Sequence, residues 1–253
     1  IPSVLRPGSV GSALTPHAAA TSTRASALAT GRPPGRSVPS APASRAPRSP
    51  ARRGIHANAA PVEAAKAIAA ELAKCGFKVD LTLDAGRQTL TSAIEKYADL
   101  LAKSKGVGLF YYAGHGAQLG WRNYLIPVDA EIDKLEDMRT KTVDLSSLLT
   151  GITKSQNAMN IIILDACRDN PFGSRVPTEQ KGLSQFDAPP GTLLAYATAP
   201  GNTASDGSGE NGLYTENLLR ELRVADAKIE DVLKRVRLNV RRTSSGQQIP
   251  WES

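Results

Sequence analysis

Beyond Pro61 the chain switches between two hydrophobic periods. Ala65, Ile68, Ala69 and Leu72 recur on a helical step, which places them on one face of a helix that Gly76 stops. Residues 77–83, FKVDLTL, then alternate, with Phe77, Val79, Leu81 and Leu83 on one side of a strand. A second helical stripe runs through Leu90, Ile94, Tyr97, Ala98 and Leu101 and closes near Gly106. VGLFYYA (107–113), MNIIILDA from residue 159 and GTLLAYATA (191–199) are almost continuously apolar at strand length. That is the pattern of strands buried on both faces of a parallel sheet. Between them VDLSSLLTGI (143–152) predicts a short amphipathic helix, and the acidic stretch DAEIDKLED (129–137) predicts a solvated loop. Two more helices are expected at 212–223 and 227–241, the latter facing inward with Ile229, Val232, Leu233, Val236 and Val240. Strands and helices in this alternation imply right-handed crossovers and an α/β sandwich.

Composition divides the chain in two. The first 55 residues hold nine prolines and eight arginines but no aromatic residue, no acid and no lysine. Such a segment buries too little apolar surface to offset its ordering entropy. Residues 1–56 are therefore expected to form a disordered basic arm, and 57–253 a folded domain. The arm accounts for the formal net charge of +7, because 23 basic groups face 24 acidic ones in the rest of the chain. Its arginines are scattered among Pro, Ala and Ser with no aromatic to stack on a base, so nucleic-acid contact is not expected. No run approaches the roughly eighteen apolar residues of a membrane span, and a soluble chain of cytoplasm or periplasm is expected. The chain begins at Ile1 rather than Met and stops at IPWES, so both ends of the domain are expected to be incomplete.

Two cysteines exclude a disulfide-dense scaffold, and there is no CxxC pair for a metal. Cys75, at the end of the first predicted helix, is expected to be a small buried hydrophobe. Cys167 is placed differently, directly past a strand-like run and between Asp165 and the Arg168-Asp169 pair. Of three histidines, His17 and His56 lie in or beside the arm, which leaves His115, flanked by Gly114 and Gly116, 52 residues before Cys167. Both fall at predicted strand ends, where open α/β sheets place their ligand sites. A thiol with pKa about 8.5 is little ionised at neutral pH, so a nucleophilic cysteine needs a positioned imidazole. Cys167 is expected to attack a carbonyl while His115 moves protons. Backbone N–H groups of Cys167 and of a glycine-flanked turn at Gly116 are expected to stabilise the oxyanion. Arg168 either depresses the thiol pKa or pairs with Asp169. A phosphate-cradling loop is not matched, because the next arginine is Arg175. One histidine and one cysteine among scattered acids do not form a tetrahedral zinc set, and no metal site is expected.

FYYAGHG (110–116) followed by DACRDN (165–170) resembles the caspase/metacaspase clan of cysteine peptidases, and most of all its bacterial members. NYLIPVDA (123–130), LLAYATAPGNTASDG (193–207) and NGLYTENLL (211–219) extend the resemblance over most of 57–253. DACRD has Asp where the caspase signature has Gln before Ala-Cys, and Asp where it has Gly after Arg, which leans toward the metacaspase-like branch. The resemblance implies a three-layer αβα sandwich on a mostly parallel sheet, and a cysteine endopeptidase that works through a His115–Cys167 dyad and a thioester. It also implies that Asp165 lines an acidic S1 pocket, with Asp206 and Asp169 as further candidates, and hence cleavage of protein or peptide substrates after Arg or Lys. A carboxylate that wants a guanidinium partner agrees with this. Pinning a local turn is the other role open to Asp165. No cofactor is implied; calcium activates some metacaspases, and no EF-hand-like loop occurs here. The rival reading is a catalytically inactive caspase-like scaffold. One family feature is missing from the pattern, the hydrophobic strand that precedes the first helix inside the sheet. Neither PSVLRPGSV (2–10) nor SPARRGI (49–55) reads as that strand, so the sheet is expected to lack it.

Overall fold

The computed structural model describes residues 17–22, 60–167, 172, 183–184, 188–199 and 211–253. Its first element is a strand, β1 (His17–Ser22), inside the segment expected to be disordered. It fills the interior slot expected to be empty, pairing in parallel with β2 (Lys78–Thr82) on one side and β3 (Val107–Leu119) on the other. Both expectations fail at these six residues; positions 1–16 and 23–59 lie outside the described residues. The reason is steric. Helices α1 (Ala60–Lys74) and α2 (Arg87–Ser104) both pack against β1, and Ala19 is buried between neighbours. Alanine is a poor strand former by propensity, but a slot pressed by two helices selects small side chains.

The described strands form one sheet in the order β2-β1-β3-β6-β7-β8, where β6 is Met159–Cys167, β7 Thr192–Tyr196 and β8 Trp251–Glu252. Its central pairs are parallel, and β8, from the IPWES segment, runs antiparallel to β7. Side chains alternate between two cores. Leu109, Tyr111, Ala113, Ile161 and Ile163 meet α1, α5 (Leu213–Leu222) and α6 (Ile229–Thr243). Phe110, Tyr112, Ile162, Leu164 and Tyr196 meet α2 and α4 (Ser146–Ser155). This is the expected αβα sandwich on a mostly parallel sheet. β2 is an edge strand, so of its expected apolar side Leu81 remains 42% exposed. No helix among the described residues is long and apolar enough to cross a membrane.

Three local expectations change. The strand expected to stop at Ala113 runs through Gly114, His115 and Gly116 to Leu119, so the glycines flank a strand residue and not a turn. The turn comes at Gly120 and Trp121, whose φ values of 55° and 64° make a two-residue hairpin of the twist-matching type, leading into β4 (Arg122–Ile126). The helix expected at 143–152 begins with a two-residue strand, β5 (Val143–Asp144), on the edge of β4. Asp144 Oδ1 then accepts the Ser146 N–H at 2.8 Å and starts α4 at that residue. The acidic stretch expected to be a solvated loop runs into α3 (Leu135–Lys141) from Leu135, and Ile132 and the helix's Met138 join Ala117, Tyr124, Ile126 and Phe172 in a third apolar cluster. Its acids have structural work: Asp129 Oδ1 accepts the first helical N–H of α2, from Arg87, at 2.8 Å.

Asp137 accepts the backbone N–H groups of Asp133 and Lys134 at 3.0 and 3.1 Å. The Asp133 bond foremost, then that of Lys134, holds its carboxyl below the ordinary carboxylate range, against the opposing pull of burial. A carboxyl depressed in the folded state stabilises the fold above its unfolded pKa and loses that contribution as pH falls through the folded value. Asp137→Asn is therefore expected to lower the melting temperature at about pH 7 and to cost far less at about pH 2, where wild type has lost the same contribution. Paired thermal melts across that range test it, and a penalty that ignores pH would assign Asp137 a packing role alone.

Candidate active site

β3 is where the sheet branches, and His115 stands at the branch. One edge of β3 is held by β1 as far as Ser22 opposite Ala113, and from His115 onward by β4, which folds back with Ile126 opposite His115. The other edge is held by β6 as far as His115 itself, whose register partner is Cys167. Neighbouring strands lie about 4.8 Å apart, so the two backbones are adjacent at this level. The sequence placed these residues at two strand ends; the register makes them opposite neighbours. His115 is half-buried. Its carbonyl accepts the Tyr112 hydroxyl at 2.8 Å, and that hydroxyl also lies 3.4 Å from the Ile126 carbonyl. Tyr112 thus braces the backbone where β4 joins β3. Cys167 is described as the last residue of β6. Its side chain lies outside the described residues, as do Arg168, Asp169 and Asp206.

Asp165, one alternation before Cys167 on β6, reaches a neighbouring strand and a helix. Its Oδ2 accepts the Thr215 hydroxyl of α5, and the Tyr111 hydroxyl of β3 lies 3.2 Å from the same oxygen. Tyr111 and Thr215 hydroxyls are 2.7 Å apart. The carboxylate therefore ties together two strands and a helix, at the first turn of that helix, where the dipole favours negative charge. Burial above all, with the charge of Asp165 added, pushes the Tyr111 hydroxyl well above its ordinary pKa, so it stays a proton donor. The Tyr214 hydroxyl is raised in the same way, by burial and then by Asp165 and Glu252.

Gly116 lies under a second layer. A Cβ there would stand 2.9 Å from Leu183 Cδ2, so the Leu183 side chain would have to shift to admit any other residue. Leu183 and Ser184 are held in place by Asn123, the first residue of NYLIPVDA. Its Nδ2 donates to the Ser184 carbonyl at 2.8 Å, and its Oδ1 accepts the Ser184 N–H at 2.7 Å. The Ser184 hydroxyl lies 2.9 Å from the Trp121 carbonyl, and Asn123 is buried. One amide side chain thus reproduces the two bonds of a strand pairing, between the β3–β4 hairpin and the segment that follows the cysteine.

Thr215, Tyr111, Tyr112, Asn123 and Ser184 are absent from the sequence-based list of site residues. A signal existed for two of them: consecutive tyrosines in a wholly buried strand must find partners for both hydroxyls. Among the described residues no group of three His, Cys, Asp or Glu is arranged to hold a metal ion.

A family model for the caspase domain matches residues 55–253. Among curated proteins, the mucosa-associated lymphoid tissue lymphoma translocation protein 1 of Homo sapiens is 28% identical over 170 residues, which cover 65% of this chain and 19% of that protein. Its homolog from Mus musculus matches with the same identity and coverage. The chain spans about a fifth of the length of the curated relatives it matches.

Proposed function

This chain belongs to the caspase-domain family, and we propose on that footing that it is a cysteine endopeptidase cleaving after Arg or Lys. The observation that carries the proposal is the register pairing of His115 with Cys167 across the branch of the sheet. A nucleophile and its base must lie within one side chain's reach of each other, and no other histidine and cysteine of the described fold are neighbours in register.

In the proposed reaction His115 takes the Cys167 proton, and the thiolate adds to the scissile carbonyl carbon. The oxygen that gains the charge is met by backbone N–H groups of Gly116 and Cys167. The intermediate collapses with cleavage of the C–N bond, His115 returns the proton to the leaving amine, and the acyl group remains as a thioester. Water, deprotonated by the same imidazole, then releases the carboxylic acid and restores the thiol. Asp165, with Asp206, supplies the negative charge that selects a basic side chain.

The test is hydrolysis of fluorogenic peptides ending in Arg, Lys or Asp by the purified chain, with and without calcium, beside Cys167→Ala. Cleavage after Arg or Lys that vanishes in the variant is the expected result. Cleavage after Asp alone would keep the nucleophile and sink the acidic pocket. A folded chain with no hydrolysis under any condition would return the domain to the scaffold reading.

A further inference from the structure

Two hydroxyl protons converge on one carboxylate oxygen. Thr215 donates to Asp165 Oδ2, so the Tyr111 proton is shared between that same oxygen at 3.2 Å and the Thr215 oxygen at 2.7 Å. Tyr111 and Thr215 are both 0% exposed, so water does not substitute for either donor. They reach Asp165 from different layers, Tyr111 from the middle of β3 and Thr215 from the first turn of α5. An aspartate carboxyl ordinarily turns broadly about its last torsion. Fixed by one oxygen from two directions, this one holds a single plane.

A fixed plane matters to one kind of cation more than another. Guanidinium is flat and offers its donors in a rigid fork, so it gains from an acceptor already aligned with it. Ammonium is a compact charge with three rotatable donors and adapts to whatever orientation it meets. Charge alone therefore separates basic side chains from neutral ones, whereas alignment separates Arg from Lys. We infer that Thr215, supported by Tyr111, is a specificity-determining positioning residue that makes the Asp165 site prefer Arg over Lys. The inference rests on the proposed peptidase reading with Asp165 in the substrate pocket. Neither hydroxyl touches substrate; both act through the carboxylate.

The experiment compares kcat/KM for matched peptides ending in Arg, Lys and the neutral isostere citrulline, using wild type, Thr215→Val, Thr215→Ser and Tyr111→Phe. Wild type is expected to favour Arg over Lys, and both over citrulline. Thr215→Val preserves shape but removes the donor. It is expected to cut the Arg-to-Lys ratio about five- to tenfold, mainly through a higher KM for the Arg peptide, while Lys keeps its advantage over citrulline. Thr215→Ser keeps the hydroxyl and is expected to retain most of the ratio. Tyr111→Phe, which leaves the ring in the core, is expected to move the ratio in the same direction and serves if the valine variant does not fold. Equal losses on the Arg and Lys peptides would mean that the hydroxyls only hold the fold together, which overturns this inference and leaves the peptidase intact. A wild type that cleaves after Arg and Lys without preference overturns it as well. A wild type that cleaves after neither sinks the parent reading, and this one with it.

Discussion

Replacing Ala19 by proline is expected to lower the unfolding free energy by about 3 kcal/mol or more, because an unpaired buried carbonyl and an overpacked ring each cost roughly 1–3 kcal/mol. β1 has a parallel partner on each side, with Ala19 opposite Asp80 on β2 and opposite Phe110 on β3. Proline removes the N–H that one of these ladders uses, and its ring crowds the neighbouring strand, which is why proline is confined to sheet edges. Domains of this size are commonly stable by only about 5–15 kcal/mol, so the loss is a large fraction of the total. Ala19→Gly supplies the control, since it keeps the N–H and is expected to cost about 0.5–1 kcal/mol. Urea unfolding of the three proteins gives the comparison. If the proline variant unfolds at the wild-type midpoint, β1 does not hold the centre of the sheet in solution, and β2 must reach β3 without it.

The same strand marks the limit of what the sequence discloses. β3 and β6 are legible because VGLFYYA and NIIIL are apolar over a full strand length, and only a sheet covered on both faces has room for them. The inward faces of α1, α2 and α6 are legible for the matching reason, a stripe at helical spacing. His17–Ser22, HAAATS, is neither. Its small residues look like the low-complexity arm around them, and their place in the sheet follows from the space left between α1 and α2. That space is a property of other elements. A local pattern does not contain it.

The site shows the same division. The residue types alone suggested the proposed chemistry, since a histidine and a cysteine at two strand ends point to a dyad. Their opposition was not legible, because register between β3 and β6 is settled by pairing across 52 positions of sequence. The tyrosines make the point finely. As apolar strand residues Tyr111 and Tyr112 were expected in the core, and they are there. Being adjacent on a strand, they face opposite layers, so one hydroxyl reaches Asp165 and Thr215 while the other reaches the His115 carbonyl. Asn123 and Ser184 meet across 61 positions. Each of these contacts joins elements whose patterns, read separately, describe only burial.

The prediction with the largest effect concerns the dyad, and it separates an assembled pair from two residues that only share a family pattern. His115→Ala is expected to lower kcat/KM about a thousandfold, within the range of about 10²–10⁴ typical for loss of a general acid-base. Loss of activity alone would not show that imidazole and thiol interact before substrate arrives. Alkylation by iodoacetamide does. The chain has two cysteines, and Cys75 is buried, so slow and mild alkylation of the native protein reports on Cys167. For any thiol, a fall from pKa about 8.5 to about 6.5 raises the thiolate fraction at pH 6 roughly 75-fold. It also makes the thiolate roughly eightfold less nucleophilic, given a Brønsted slope of about 0.4–0.5. The net gain is near tenfold. If His115 pairs with the thiolate in the resting protein, wild type should therefore alkylate about ten times faster than His115→Ala at pH 6, and the order should reverse above about pH 9, where both thiols are ionised and the variant's more basic thiolate is the stronger nucleophile. Equal rates throughout, beside a large loss of hydrolysis, would mean that His115 acts on the leaving amine alone and that the thiol is activated by some other group. Equal rates with no loss of hydrolysis would remove His115 from the mechanism.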